Sequence, residues 1–459
     1  MEFVRSNGGH VLVKDGNLWT SKNTRNGKTY YNCRARLCTA TITLLDIQNK
    51  DGPIPANALI RVGRPHSAHI LPYGEIANLK FIADVQQRLA VDPSKKPRSA
   101  WHDASLADPV TFAALTTTFE SSASGLLKYR REFYPPTPHA LVDVQVMPGT
   151  WGSTSEGEIF HRETNLNERY VLFVSDEGLR ILSEAQHLNM DGTFKSRPDT
   201  MGINQLFVII ANYRGFNVPC VYCLMSVRTK EAYTAVLTKI TELGVAIGLQ
   251  IQPPLIIMDF ERAASEAAQD VWPNCRVRFC NFHFNQSLWR GIVRNRLEDV
   301  YKHPQNHPHP DGSACRLRAV FNKIAVLGDL PFQVVGVNFT LYLTHPEVLT
   351  EAAAHPTFMT WINYVNTTYM NPGPQFHCYR PVTWNCFNRD RFTRTNNVSE
   401  GFNSRFNQDM GHNPEFFRFV AQLKREETHS LGIIQAANGG VAPPPSKKKF
   451  VEKDNRLAR

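Results

Sequence analysis

Three acids have types and settings that would let them work together: Asp191, Asp259 and Glu400. Asp191 sits in Asn189-Met190-Asp191-Gly192-Thr193-Phe194. Asp259 closes the apolar run Leu255-Ile256-Ile257-Met258, and Glu400 follows Thr395-Asn396-Asn397-Val398-Ser399. Carboxylates gathered without basic partners repel one another, so such a cluster is costly unless a cation fills it. Oxygen donors with room for water suit Mg²⁺ or Mn²⁺. Two such ions, about 3.5–4 Å apart, can activate a hydroxyl nucleophile and stabilise a leaving oxygen. Each acid also has a plain structural reading: a turn for Asp191-Gly192, a helix cap for Asp259, a favourable helix-start charge for Glu400.

A second set is Cys33, Cys38, His66 and His69, spaced Cys-x4-Cys and His-x2-His. Two thiolates and two imidazoles make a full tetrahedral zinc shell. Some 70 residues of short strands bury little apolar surface, and a structural metal supplies the shortfall. The competing reading, two buried free cysteines and two surface histidines, accounts less well for four ligand types in one small module. A third pair, Cys280 and His283, is half a site. His303, His307 or His309 could complete it; alternatively Cys280 is a small buried residue and His283 supports the carboxylate site. The latter is preferred. Cys220-x2-Cys223 falls within a strand, where residues three apart face opposite sides, so these read as core cysteines.

The elements that must position these groups follow from pattern. Strands are expected at His10–Val13, Asn17–Thr20, Thr29–Cys33 and Ala40–Leu45, divided by Asp-Gly and Asn-Gly turns. Residues 75–133 switch to helical spacing, with Ile76, Leu79, Ile82 and Val85 on one face. Strands return at Tyr170–Val174, Gln186–Met190, Gln205–Tyr213, Val218–Met225, Leu255–Met258 and Val277–Cys280. Helices are expected at Lys230–Gly244 (capped by Thr229), Glu261–Val271, Phe284–Val300 and 396–428. Residues 301–390 read as helices behind a His/Pro-rich loop, with Trp361, Tyr364, Tyr369 and Trp384 as core. If the strands bearing Asp191 and Asp259 lie side by side, their carboxylates meet, and a helix on the same sheet aims Glu400 at them.

Charge is located rather than spread. Residues 1–69 carry ten Lys and Arg against four acids, residues 440–459 six against two, and the stretch between is balanced. Basic modules on a neutral body point to nucleic acid, although an excess this small also serves solubility. No apolar run nears the roughly 20 residues of a membrane span. The opening residues lack a signal peptide's apolar stretch and the cysteine count is odd, so an intracellular, reduced chain is expected.

These words together carry two resemblances. Leu18-Trp19, Tyr30-Tyr31-Asn32-Cys33, Arg34 through Ala40 and the closing histidines resemble a FLYWCH-type zinc finger. Tyr31 stands where that family usually has Trp, and its usual His-x-His is His66-Ser67-Ala68-His69 here. Asp191-Gly192-Thr193-Phe194-Lys195, Met258 through Ala263, Cys280-Asn281-Phe282-His283-Phe284 and Thr395 through Asn403 resemble, in order, the motifs of Mutator-like element (MULE) transposases. Asn403 replaces a frequent His. Lys128 through Pro138 resembles the linker upstream in finger-bearing members.

The resemblances imply a multidomain α+β chain: a finger over 1–70, a helical linker region over 71–165, and a ribonuclease-H-like α/β core over 166–300 and 391–432. A helical insertion at 301–390 and a disordered basic tail at 433–459 complete it. They also imply double-stranded DNA as partner, a homo-oligomer on DNA, a nuclear location and strand cleavage and transfer by Asp191, Asp259 and Glu400 with Mg²⁺ or Mn²⁺. Cys33, Cys38, His66 and His69 would hold structural Zn²⁺. Lys447–Lys449 reads as an import signal or as a solvated tail. The alternative is a domesticated zinc-finger regulator that binds DNA without cutting it.

Overall fold

The computed structural model describes residues 1–6, 9–47, 54–389 and 393–444. The chain is mixed α+β and divides into two compact units, Met1–Pro136 and Thr137–Arg459.

The first unit opens with a six-stranded antiparallel meander: β1 (Glu2–Ser6), β2 (Gly9–Lys14), β3 (Asn17–Arg25), β4 (Lys28–Cys33), β5 (Thr41–Leu45) and β6 (Leu59–Val62). The Asp15-Gly16 and Asn26-Gly27 pairs all have positive φ, between 49° and 71°. That is the backbone a two-residue hairpin needs to match the strands' right-handed twist. Alternation buries Leu12, Trp19, Tyr31, Ile42 and Leu44 on one face. Helices Tyr73–Val91, Pro97–Ala107 and Phe119–Arg131 follow, packed through Phe81, Val85, Leu89, Trp101 and Leu126. Pro97 stands at a helix start, where a missing N–H costs nothing. Strands β1 and β6 went unanticipated.

The second unit is built on a seven-stranded sheet: β7 (His161–Asn165), β8 (Tyr170–Phe173), β9 (His187–Thr193), β10 (Gln205–Tyr213), β11 (Phe216–Met225), β12 (Leu255–Met258) and β13 (Arg276–Phe279). Its order is β13-β12-β9-β10-β11-β8-β7. β12 runs parallel to both β9 and β13, and the remaining pairs are antiparallel. The uninterrupted apolar runs of β10 and β11 are buried along their lengths, as befits strands covered on both faces. Helix Lys230–Ala246 packs on β8, helix Asn397–Met410 on β9 and β10, and helix Phe416–Asn438 on β11. Cys220 and Cys223 are both buried core thiols.

Several boundaries differ from expectation. β7 lies in the stretch expected to be helical linker, yet it forms the sheet's edge. The helix expected over Phe284–Val300 is two, Asn281–Arg294 and Glu298–Lys302, because Arg296 takes a left-handed φ of 57°. The helical stretch expected over 396–428 breaks at Gly411 (φ 72°). Its second half continues to Asn438, past the expected start of the tail at 433, since Ile434 and Ala437 are buried. The basic run Lys447–Lys449 lies outside the described residues.

Between β13 and the Glu400 helix the chain is helical. Trp361 and Trp384 are fully buried there, Tyr369 nearly so, and Tyr364 packs against the same core. Trp361 Nε1 donates to Leu288 O (3.0 Å), and a Cβ on Gly291 would lie 2.6 Å from Trp361 Cδ1. The helical region therefore docks on helix Asn281–Arg294 at a position only glycine permits.

Candidate active site and candidate metal centre

The parallel register of β9 and β12 pairs Met190 with Met258. The next residue on each strand is Asp191 and Asp259. Residues at matching register on neighbouring strands project to the same side, so the two carboxylates become neighbours. Glu400 lies in the first turn of helix Asn397–Met410, which packs on β9.

The electrostatics bear the mark of this crowding. Burial, followed by the nearby Asp259 charge, pushes Asp191 up to about 7. Burial raises Glu400 as well, with Asp259 adding to the rise and His283 opposing it. Glu400 Oε1 is buried without a hydrogen-bond partner. His283 stands among the acids: Nδ1 is 2.8 Å from Asp259 Oδ1, and Nε2 is 3.8 Å from Glu400 Oε1. Nδ1 lies off the line of a good hydrogen bond to Asp259. Burial works against a charged His283, but Asp259 and Cys280 outweigh it and lift the ring to about 10. An imidazolium thus stands between two of the three acids.

Two asparagines hold the frame, and neither role was anticipated. Asn403 Nδ2 donates to Asp191 Oδ2 (2.7 Å). It sits three residues beyond Glu400, on the same helix, so one element places both a carboxylate and a clamp for another. Asn396 is fully buried; its Nδ2 donates to Met190 O (3.2 Å) and more loosely to Asp259 Oδ1 (3.4 Å). Its backbone N–H donates to Cys280 Sγ (3.1 Å). Cys280 thereby ties the start of the Glu400 helix to the end of β13, which is its visible task. The sequence signal for both asparagines was their place in the Thr395–Asn403 motif.

Beside Asp259 opens a cleft of about 400 Å³. Arg228, Arg262, His283, Gln286 and Arg290 line it, a polar and cationic wall beside the carboxylates. The His/Pro-rich loop does not reach this site: His307 pairs with Asp299 (2.6 Å) and His309 with Glu351 (2.9 Å). The reading in which that loop completes a site with Cys280 and His283 is set aside for those two histidines.

Residues 187–287 match the family model of the MULE transposase domain. The matched stretch runs from β9 into the first half of helix Asn281–Arg294 and contains Asp191, Asp259, Cys280 and His283. This stretch of the second unit is therefore similar to a transposase domain. Glu400 lies beyond the match, brought back to the matched strands β9 and β10 by its helix. No curated protein matches the chain.

In the first unit, Cys33, Cys38, His66 and His69 bring their ligand atoms within 4.8 Å of one another. Cys33 Sγ is 3.6 Å from His69 Nε2, Cys38 Sγ 3.4 Å from His66 Nδ1, and the two ring nitrogens are 3.1 Å apart. Both histidines converge, despite the wider His-x2-His spacing. Trp19 packs edge-on against His66 and fixes its ring. Slight burial raises the Cys38 thiol, but the Ala40 N–H, the Ser67 hydroxyl and N–H, and His66 outweigh it and bring Cys38 down to about 5. A thiol so placed is ready to ligate as thiolate. These four atoms can hold one tetrahedral ion.

Proposed function

We propose that the protein is a DNA transposase, or descends from one, in which Asp191, Asp259 and Glu400 bind divalent ions for strand cleavage and transfer. The observation that carries this reading is the meeting of Asp191 and Asp259 on adjacent parallel strands inside the matched transposase domain. The order β13-β12-β9-β10-β11, with only β10 antiparallel to its neighbours in the centre, supports a ribonuclease-H-like core extended by β8 and β7. The helices between β13 and residue 397 are then the insertion.

The donor types suit Mg²⁺ or Mn²⁺, although among the described residues Asp259 clusters within 4.8 Å with Cys280 and His283 rather than with Asp191 and Glu400. The donors are hard oxygens, their charges are mutually unfavourable, and a buried Glu400 oxygen lacks a partner. When bound, such ions lower the barrier by activating the attacking oxygen and neutralising the leaving one. The chain's own residues do the rest. Asn403 fixes the Asp191 carboxylate, and Asn396 fixes the backbone at Met190. His283 offsets part of the charge of Asp259 and Glu400. Arg228, Arg262 and Arg290 offer phosphate contacts along the cleft, where cationic side chains replace counterions.

The finger-like set in the first unit would hold a structural Zn²⁺ and, as in the FLYWCH-type fingers it resembles, present the basic meander to double-stranded DNA. Two element ends and two active sites imply a homo-oligomer on DNA, and such work belongs in the nucleus.

The test is nicking of supercoiled plasmid by the full chain with Mn²⁺ or Mg²⁺, wild type against Asp259→Asn. Metal-dependent nicking that vanishes in the variant is expected. Zinc-dependent DNA binding with identical background nicking in both proteins would favour the non-cutting regulator.

A further inference from the structure

The helical region holds a further, buried knot of metal-ligand side chains. Glu351, on helix Pro346–Ala354, is fully buried. Its ion-pair partners among the described residues are two histidines: His309 Nε2, 2.9 Å from Oε1, and His355 Nε2, 3.6 Å from Oε2. Cys315 Sγ lies 3.5 Å from Glu351 Oε2 and 3.9 Å from His355 Nε2. The backbone N–H of Arg316 donates to Oε1 (2.5 Å). His309 is itself buried, and its Nδ1 has no hydrogen-bond partner.

Cys315 Sγ, Glu351 Oε2 and His355 Nε2 thus form a triangle with edges of 3.5, 3.6 and 3.9 Å. Zinc bonds of about 2.0–2.3 Å give tetrahedral edges of roughly 3.3–3.8 Å, so one ion can touch all three with little movement. We propose that Cys315, Glu351 and His355 bind a zinc ion, with His309 holding the second oxygen of Glu351.

Charge supports this assignment. A buried carboxylate is costly without a compensating cation. Ligated as thiolate and carboxylate, Cys315 and Glu351 together carry two negative charges, and Zn²⁺ cancels both. The thiol proton leaves to solvent as the Sγ–metal bond forms. Glu351 then uses both oxygens, one on the ion and one accepting from His309 and the Arg316 N–H. A hydrogen-bonded outer partner of that kind is what orients a ligating group. Sulfur and imidazole donors select zinc over Mg²⁺ or Ca²⁺. The fourth position would be left to water from the adjoining cavity of about 420 Å³, which His309 and Glu351 line. The ion would pin the His/Pro-rich loop, which has few apolar side chains of its own, to helix Pro346–Ala354.

The test is metal content of the full chain carrying Cys33→Ser and Cys38→Ser, which removes the finger's thiolates. One zinc per chain is expected to remain after dialysis. Replacement by Co²⁺ should give a thiolate charge-transfer band. Adding Cys315→Ser should remove both the metal and the band, and His355→Ala should release the metal while circular dichroism reports retained helix. A thiolate-less finger variant that holds no stoichiometric zinc overturns the proposal. So does zinc that survives both further substitutions. Failure of the finger reading shows separately, as equal zinc in wild type and the Cys33/Cys38 variant.

Discussion

Asp191 carries the clearest electrostatic signature in the stretch that matches the transposase model. Its folded-state pKa of about 7 exceeds the unfolded value of roughly 4. In that window the folded state holds a proton the unfolded chain has released, so the metal-free protein loses stability as pH rises from about 4 to 7. A divalent ion takes the proton's place. Mg²⁺ should therefore raise the melting temperature more at about pH 8 than at about pH 5.5, and Asp191→Asn should flatten the difference. Equal shifts at both pH values in the wild type would remove Asp191 from the metal site. Asn403, which donates to Asp191, is a partner of a ligand rather than a ligand. Asn403→Ala should cost roughly 10–100-fold in metal affinity or nicking with the fold intact. Unchanged Mn²⁺ titration and nicking in that variant would count against its clamp role.

At the scale of elements, the decisive junction is helix Asn281–Arg294 against the helical region. Trp361 is fully buried and hydrogen-bonded, so it cannot yield to a side chain at Gly291. Gly291→Leu should destabilise the second unit by about 1–3 kcal/mol through overpacking, read by chemical denaturation. A neutral result would show that Trp361 repacks freely. Legibility in the sequence also divides by element. β12 could be read because Leu255-Ile256-Ile257-Met258 is an apolar run that ends in an acid, and β9 from the Asn189–Phe194 motif; their adjacency was one arrangement that α/β packing allows. β7 could not, because His161-Arg162-Glu163-Thr164-Asn165 is a polar edge with no buried alternation to reveal it. Nor could the partner of His309: its His/Pro-rich setting pointed to a solvated loop, whereas packing delivers it to Glu351 on a helix 42 residues further on. The asparagine clamps depend on contacts across more than two hundred residues of chain, which no local pattern encodes.

The whole molecule places its surplus positive charge at the ends and its carboxylates in the neutral body. If the basic first unit anchors DNA, log affinity should fall linearly with log salt, with a slope of about 0.9 for each phosphate neutralised. Cys33→Ser should weaken binding through loss of the meander's staple. Arg228→Ala and Arg290→Ala should each reduce the slope by about one while leaving the meander unaffected. Salt-insensitive binding would point to a protein partner instead.

The third carboxylate arrives on the far side of a long helical region from the other two. A ribosome therefore delivers both strand-borne aspartates, and enough chain to pair their strands, well before Glu400 emerges. A message cut short between residues 280 and 397 would encode the paired strands with two acids and no third. Under the proposed function, one early stop codon in that interval would leave the basic first unit and two of the three acids in a chain that lacks Glu400.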